Sequence, residues 1–92
     1  MPVIFEWDET KRLTNIERHG IDFIDAVLLF DGRTVLTLHS PYAEEDRFLV
    51  VGILDGRFVT AIWTWRDEGI RLISARSARD GEKREYHAQI TG

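Results

Sequence analysis

With 43% hydrophobic residues, including three Trp, two Tyr and five Phe, 92 residues suffice for one modest core, so residues 1–92 are expected to form a single domain. The absence of cysteine excludes disulfides and thiolate metal sites. A formal net charge of −4 argues against a general nucleic-acid coat, which carries a basic excess, so any RNA or DNA site must be local.

Residues 3–5 read as a short strand. Residues 8–19 are predicted to form a helix with Asp8 as N-cap and Gly20 at the C′ position. Its few apolar positions, Leu13 and Ile16, with Trp7 at the entrance, are expected to face inward. A second helix is predicted over 22–30, where Phe23, Ala26, Val27 and Phe30 form one apolar stripe. Asp31-Gly32 stops it. The period then changes. Residues 33–38 read as a strand, 39–46 as a polar loop containing Pro41, and 47–54 as a second strand. Asp55-Gly56 is a strong hairpin signal for a type I′ turn. Residues 57–66 follow as a third strand, Asp67-Glu68-Gly69 as a tight connection, and 70–77 as a fourth strand. A last helix is predicted over 79–89, with Gly81 a weak spot in its first turn. This order predicts an α+β domain: two N-terminal helices, an antiparallel meander of about four strands with a short extra N-terminal strand, and a C-terminal helix. No apolar run reaches the roughly 18 residues of a membrane helix, and the N-terminus lacks a signal-peptide pattern, so a cytoplasmic protein is expected.

The stretch 71–86 concentrates cations in an acidic chain: Arg71, Arg76, Arg79, Lys83 and Arg84. The planar donor fork of arginine matches phosphate oxygens, which makes nucleic-acid chemistry the first hypothesis. The hairpin signal allows the arginines to be placed. If Asp55 and Gly56 are the turn residues, Arg47 lies opposite Thr64 and Val51 opposite Thr60. A three-residue loop at 67–69 then sets Thr64 against Leu72 and Thr60 against Arg76. Because side chains alternate, one face holds Arg47, Thr60, Thr64, Ser74 and Arg76. The other holds Phe48, Val50, Trp63, Trp65, Ile73 and Ala75, with Arg71 beside Trp65. A two-residue loop would move Arg76 to the apolar face.

Several segments, in order, carry a resemblance to a family. They are Phe5-Glu6-Trp7-Asp8, Lys11, Asn15, Arg18-His19-Gly20, Phe23, Ala26 and Phe30-Asp31, then Tyr42, Glu45-Asp46-Arg47-Phe48 and Gly52. Arg71, Ile73-Ser74-Ala75-Arg76, Arg79, Glu82 and Tyr86 complete the set. Together they resemble the BrnT-type toxins of bacterial type II toxin–antitoxin systems over nearly the whole chain. Gly32 departs from the proline usual after the aspartate. The resemblance implies a RelE-like fold and ribosome-independent RNA cleavage without metal or cofactor. It also implies a small BrnA-like antitoxin that covers the toxin and binds operator DNA.

Metal-free RNA cleavage needs a base for the ribose 2′-hydroxyl, cations for the phosphorane and an acid for the leaving 5′-oxygen. Arg76 and Arg47 are the candidates for transition-state charge; the structural alternative is an edge arginine paired with Asp46 or Glu45. Lys11, Asn15, Arg18 and His19 share helical spacing and are expected on one polar face opposite Leu13 and Ile16. Lys11 is a candidate phosphate contact or proton-transfer group, His19 a candidate acid or base, and Asn15 a candidate RNA contact. Glu45 could be the base or orient Arg47. Arg79 and Tyr86 are candidate RNA contacts, although Tyr86 would equally pack the last helix on the sheet. Trp63 and Trp65 are expected to be core. The alternative to a toxin ribonuclease is a non-catalytic RNA-binding or antitoxin-partner module on the same fold.

Overall fold

The computed structural model describes residues 3–40 and 46–91. β1 (Ile4–Glu6) leads into α1 (Glu9–His19) and α2 (Phe23–Ala26), which tightens into a 3-10 turn over Val27–Phe30. Four strands follow: β2 (Leu36–Ser40), β3 (Arg47–Leu54), β4 (Arg57–Arg66) and β5 (Gly69–Ser77). α3 (Asp80–Tyr86) ends the fold and runs on as a π-helical turn over His87–Thr91. The strands form one five-stranded sheet in the order β1-β5-β4-β3-β2. The α+β class is as expected. The meander is antiparallel, but β1 adds parallel to β5. Gly69 permits this, because a Cβ there would run into the Ile4 carbonyl.

The local signals act as read. The Asp8 carboxylate accepts the Thr10 and Lys11 backbone N–H groups at 2.8 and 3.2 Å, and Gly20 takes the left-handed conformation at φ 69°. Asp22 caps α2 through the Ile24 N–H. That bond, joined by Arg12, holds the Asp22 carboxyl below its ordinary range against the opposing effect of burial. Asp55 and Gly56 both have positive φ, the type I′ signature, and Leu54 pairs with Arg57.

Four features differ from expectation. The second helix narrows to a 3-10 turn, so Leu29 joins Phe23 and Ala26 in the core at spacings of three, while Val27 and Phe30 are only half-buried. β2 begins later than residue 33, because Arg33 is tied to Asp31 and to the Ile53 carbonyl. It runs on through His39 and Ser40. α1 packs the other way round: Leu13 is 55% exposed, whereas Asn15 is buried. Finally, the β4–β5 connection has two residues, Asp67 and Glu68, since Arg66 pairs with Gly69.

The sheet has two unequal sides. Under α1 and α2 lies the main core, including Phe23, Leu29, Val50, Val59, Ala61 and Leu72. On the other side α3 lays Tyr86 against Val51 and Ala78, flanked by Leu36, Phe58 and Ile90.

Candidate nucleic-acid interface

The α3 side is also the arginine face, and an irregularity in β5 decides which arginines reach it. A two-residue β4–β5 turn alone would have sent Arg76 to the opposite side. Between the pairs Trp63–Leu72 and Ile62–Ser74, however, Ile73 is an extra residue with no partner, a β-bulge. It restores Arg76 opposite Thr60, as expected from sequence. It also corrects the placement of Arg71, which precedes the bulge. Arg71 pairs with Thr64, not Trp65, and so stands on the arginine face. One row across the sheet reads Glu6, Arg71, Thr64, Arg47 and Ser40, with Arg47 one residue beyond the Phe48–Trp63 pair.

The arginines are held unequally. Arg76 makes a two-pronged pair with Glu82, Nη1 to Oε1 at 2.8 Å and Nη2 to Oε2 at 2.9 Å. The two side chains are 15% and 13% exposed. Glu82 also accepts the Thr60 hydroxyl at 2.9 Å and the Arg79 backbone N–H at 2.8 Å. Burial works against its ionisation, but Arg76, the Arg79 N–H and Thr60 outweigh it and hold the carboxyl at about 2. Arg76 and Glu82 thus form a nearly neutral clamp joining α3 to β4 and β5. Arg71 has a single contact with Glu6 at 3.3 Å, and those side chains are 30% and 43% exposed. Arg47 is half-buried.

Asn15 explains why α1 turns a polar face inward. Pairing of β1 stops at Glu6–Arg71, which leaves the β5 edge open beyond it. The Asn15 side chain fills that gap as a strand would. Its Nδ2 donates to the Ala75 and Ile21 carbonyls at 2.8 and 2.9 Å, and its Oδ1 accepts the Ala75 N–H at 3.1 Å and the Ser74 hydroxyl at 3.3 Å. At 6% exposure its amide is fully committed, so this residue, expected to contact RNA, is an edge clamp instead. Arg12, on one flank of Asn15, bonds Asp22 at the start of α2. Lys11 and Arg18, at i−4 and i+3 from Asn15, are exposed on the opposite flank of α1. His19 is exposed at the end of α1, and its backbone carbonyl accepts from Arg57 at 3.3 Å.

Of the remaining candidates, Tyr86 is buried edge-on against Phe58 at 5.3 Å, which is packing. Arg79 is exposed at the start of α3. Trp63 is core, stacked on Phe48 at 4.8 Å, but Trp65 on the same face is 56% exposed. Glu45 and Tyr42 lie outside the described residues. Among the described residues no three His, Asp or Glu side chains converge as a metal set would, and no helix is long and apolar enough to cross a membrane. Arg71 is the residue that sequence reasoning placed on the wrong face. A β-bulge leaves no reliable mark in a single strand, so its only signal was the arginine itself.

A small mixed sheet with arginines on one face, clamped at its edge by a helix, defines a compact α+β domain. The chain matches the family model described as ribonuclease toxin, BrnT, of type II toxin–antitoxin system, over residues 7–82. It therefore belongs to the BrnT family of ribonuclease toxins. No curated protein matches the chain.

Proposed function

We propose that this protein is an endoribonuclease that cleaves RNA without a metal, by attack of the ribose 2′-hydroxyl on the adjacent phosphorus, and that it acts in the cytoplasm to arrest translation. The observation that carries the reading is a sheet face bearing Arg47, Arg71 and Arg76 in a net-acidic chain of a ribonuclease toxin family. Arg47 stabilises the charge that develops on the phosphorane. Arg76, pinned by Glu82, keeps spare N–H donors at a fixed position rather than a free charge. Lys11 supplies a second cation from the α1 flank, or moves a proton, and Glu45 serves as base. The 2′-hydroxyl requirement makes RNA, not DNA, the substrate. The partner is a small BrnA-like antitoxin with its own DNA-binding domain, so operator DNA is met only through it. The segment that enters the arginine face should be acidic.

The test is cleavage of matched RNA and DNA strands by purified toxin, freed of antitoxin, in EDTA. RNA should be cut to 2′,3′-cyclic phosphate ends and DNA left intact, and Arg47→Gln should slow cleavage about 100-fold. Activity that vanishes in EDTA and returns with added magnesium overturns the mechanism. An inert wild-type protein that still binds RNA would leave a non-catalytic RNA-binding module.

A further inference from the structure

Resting on that reading, we infer that Arg71 is a phosphate-contacting residue that works with Arg47 across Thr64, and that the Ile73 bulge is the device that delivers it. Had β5 no extra residue while Arg76 kept its pairing with Thr60, Arg71 would lie opposite Trp65 and on the far side of the sheet. The bulge inverts side-chain direction for the strand that precedes it, and bulges are used in this way to re-aim side chains beside sites.

Geometry then favours Arg71 over Arg76 as the partner of Arg47. Arg71 and Arg47 flank Thr64 in one row, two strands apart, or about 10 Å between backbones. Arg76 lies four residues further along the sheet, about 15 Å from Arg47. Thr64 between them is buried, and its hydroxyl donates to the Asp46 carbonyl beside Arg47. The inferred phosphoryl group lies between the Arg47 and Arg71 side chains, outside the buried Thr64. Among the described residues Arg71 holds one contact, with Glu6, on partly exposed side chains, and such pairs are worth little. An incoming phosphate can replace that carboxylate at small cost. The charge of Arg76 is already answered by a part-buried carboxylate in a two-pronged pair. Of the two β5 arginines, Arg71 is therefore the one able to bring net charge to a phosphate.

The experiment compares wild type, Arg71→Gln and Arg71→Lys in two assays. One is cleavage of a single-stranded RNA; the other is binding of a non-cleavable 2′-O-methyl RNA of the same sequence over a range of salt. Arg71→Gln should lower kcat/KM about 100-fold and reduce the salt slope of binding by about 0.7, the value for one lost contact on a single strand. Arg71→Lys should restore much of the salt slope but little of kcat/KM, because lysine keeps the charge and loses the fork. Melting temperature controls for folding, since a purely structural Arg71 would move it and leave the salt slope alone. If wild type cleaves and Arg71→Gln stays within threefold of it with an unchanged slope, this inference fails and the ribonuclease reading stands. A change only in affinity for an acidic antitoxin peptide would likewise overturn it. If wild type neither cleaves nor binds RNA, both fall together.

Discussion

β5 carries an arginine towards each end of the same face, and the two are held differently. Arg76 sits under α3 in a network of Glu82, Thr60 and the Arg79 N–H. Arg71 sits beyond α3 with one loose carboxylate. One cation is part of how the helix is attached; the other is close to a free ligand. Residue type and strand could not separate them, because the distinction lies in burial and in the number of partners. A part-buried arginine held by a two-pronged carboxylate helps attach the helix, whereas a more accessible one with a single loose acceptor is available for exchange.

The largest effect is expected at the Arg76–Glu82 clamp. Glu82→Ala leaves the part-buried Arg76 guanidinium without its carboxylate partner, and the Thr60 hydroxyl and Arg79 N–H without an acceptor. The expected loss is about 3–5 kcal/mol in denaturant unfolding. A loss below about 1 kcal/mol would show that the clamp is a surface pair and that Arg76 is as available as Arg71. The edge clamp comes next. Asn15→Ala removes four hydrogen bonds and strands the buried Ala75 N–H and carbonyl, at an expected cost of about 2–3 kcal/mol. Asn15→Asp should retain part of this, since a carboxylate can accept from Ala75 but cannot donate to it. Equal losses for the two variants would remove the strand-mimic account.

Much of this was legible because local chemistry and tertiary packing agree. The Asp8 and Asp22 caps, Gly20 and the Asp55-Gly56 turn fixed element ends, and the turn fixed the β3–β4 register that carries Arg47. The site was less legible, for three physical reasons. Leu13 and Ile16 were assigned inward because apolar side chains usually bury, but the β5 edge needed donors and acceptors more than α1 needed to hide two aliphatics. The Arg76 face came out correctly through two offsetting differences, a shorter turn and a bulge, so only Arg71 lying between them betrayed the shift. Clamping by Glu82 was unreadable, because it depends on how α3 crosses the sheet.

Acid sharpens the same contrast with a smaller effect. The folded Glu82 carboxyl is lowered to about 2, against an ordinary value near 4.5. A depressed carboxylate stabilises the fold above its unfolded pKa, and that contribution fades as pH falls from about 4.5 towards 2. The loss over this window should be on the order of 2–3 kcal/mol. It should largely disappear in Glu82→Gln, whose amide does not titrate. An acid profile identical in both proteins would place the titration elsewhere.

The smallest effect belongs to the loose end. Glu6→Gln removes the only carboxylate that Arg71 touches among the described residues. Because both side chains are partly exposed, stability should change by less than about 1 kcal/mol. The same substitution deletes a negative charge beside the proposed phosphate position, so binding of 2′-O-methyl RNA should tighten about threefold at low salt and converge on wild type as salt screens the difference. The opposite sign would be decisive. If Glu6→Gln weakened RNA binding, Glu6 would be orienting Arg71 rather than competing for it, and the loosely held arginine would have to be counted as positioned after all.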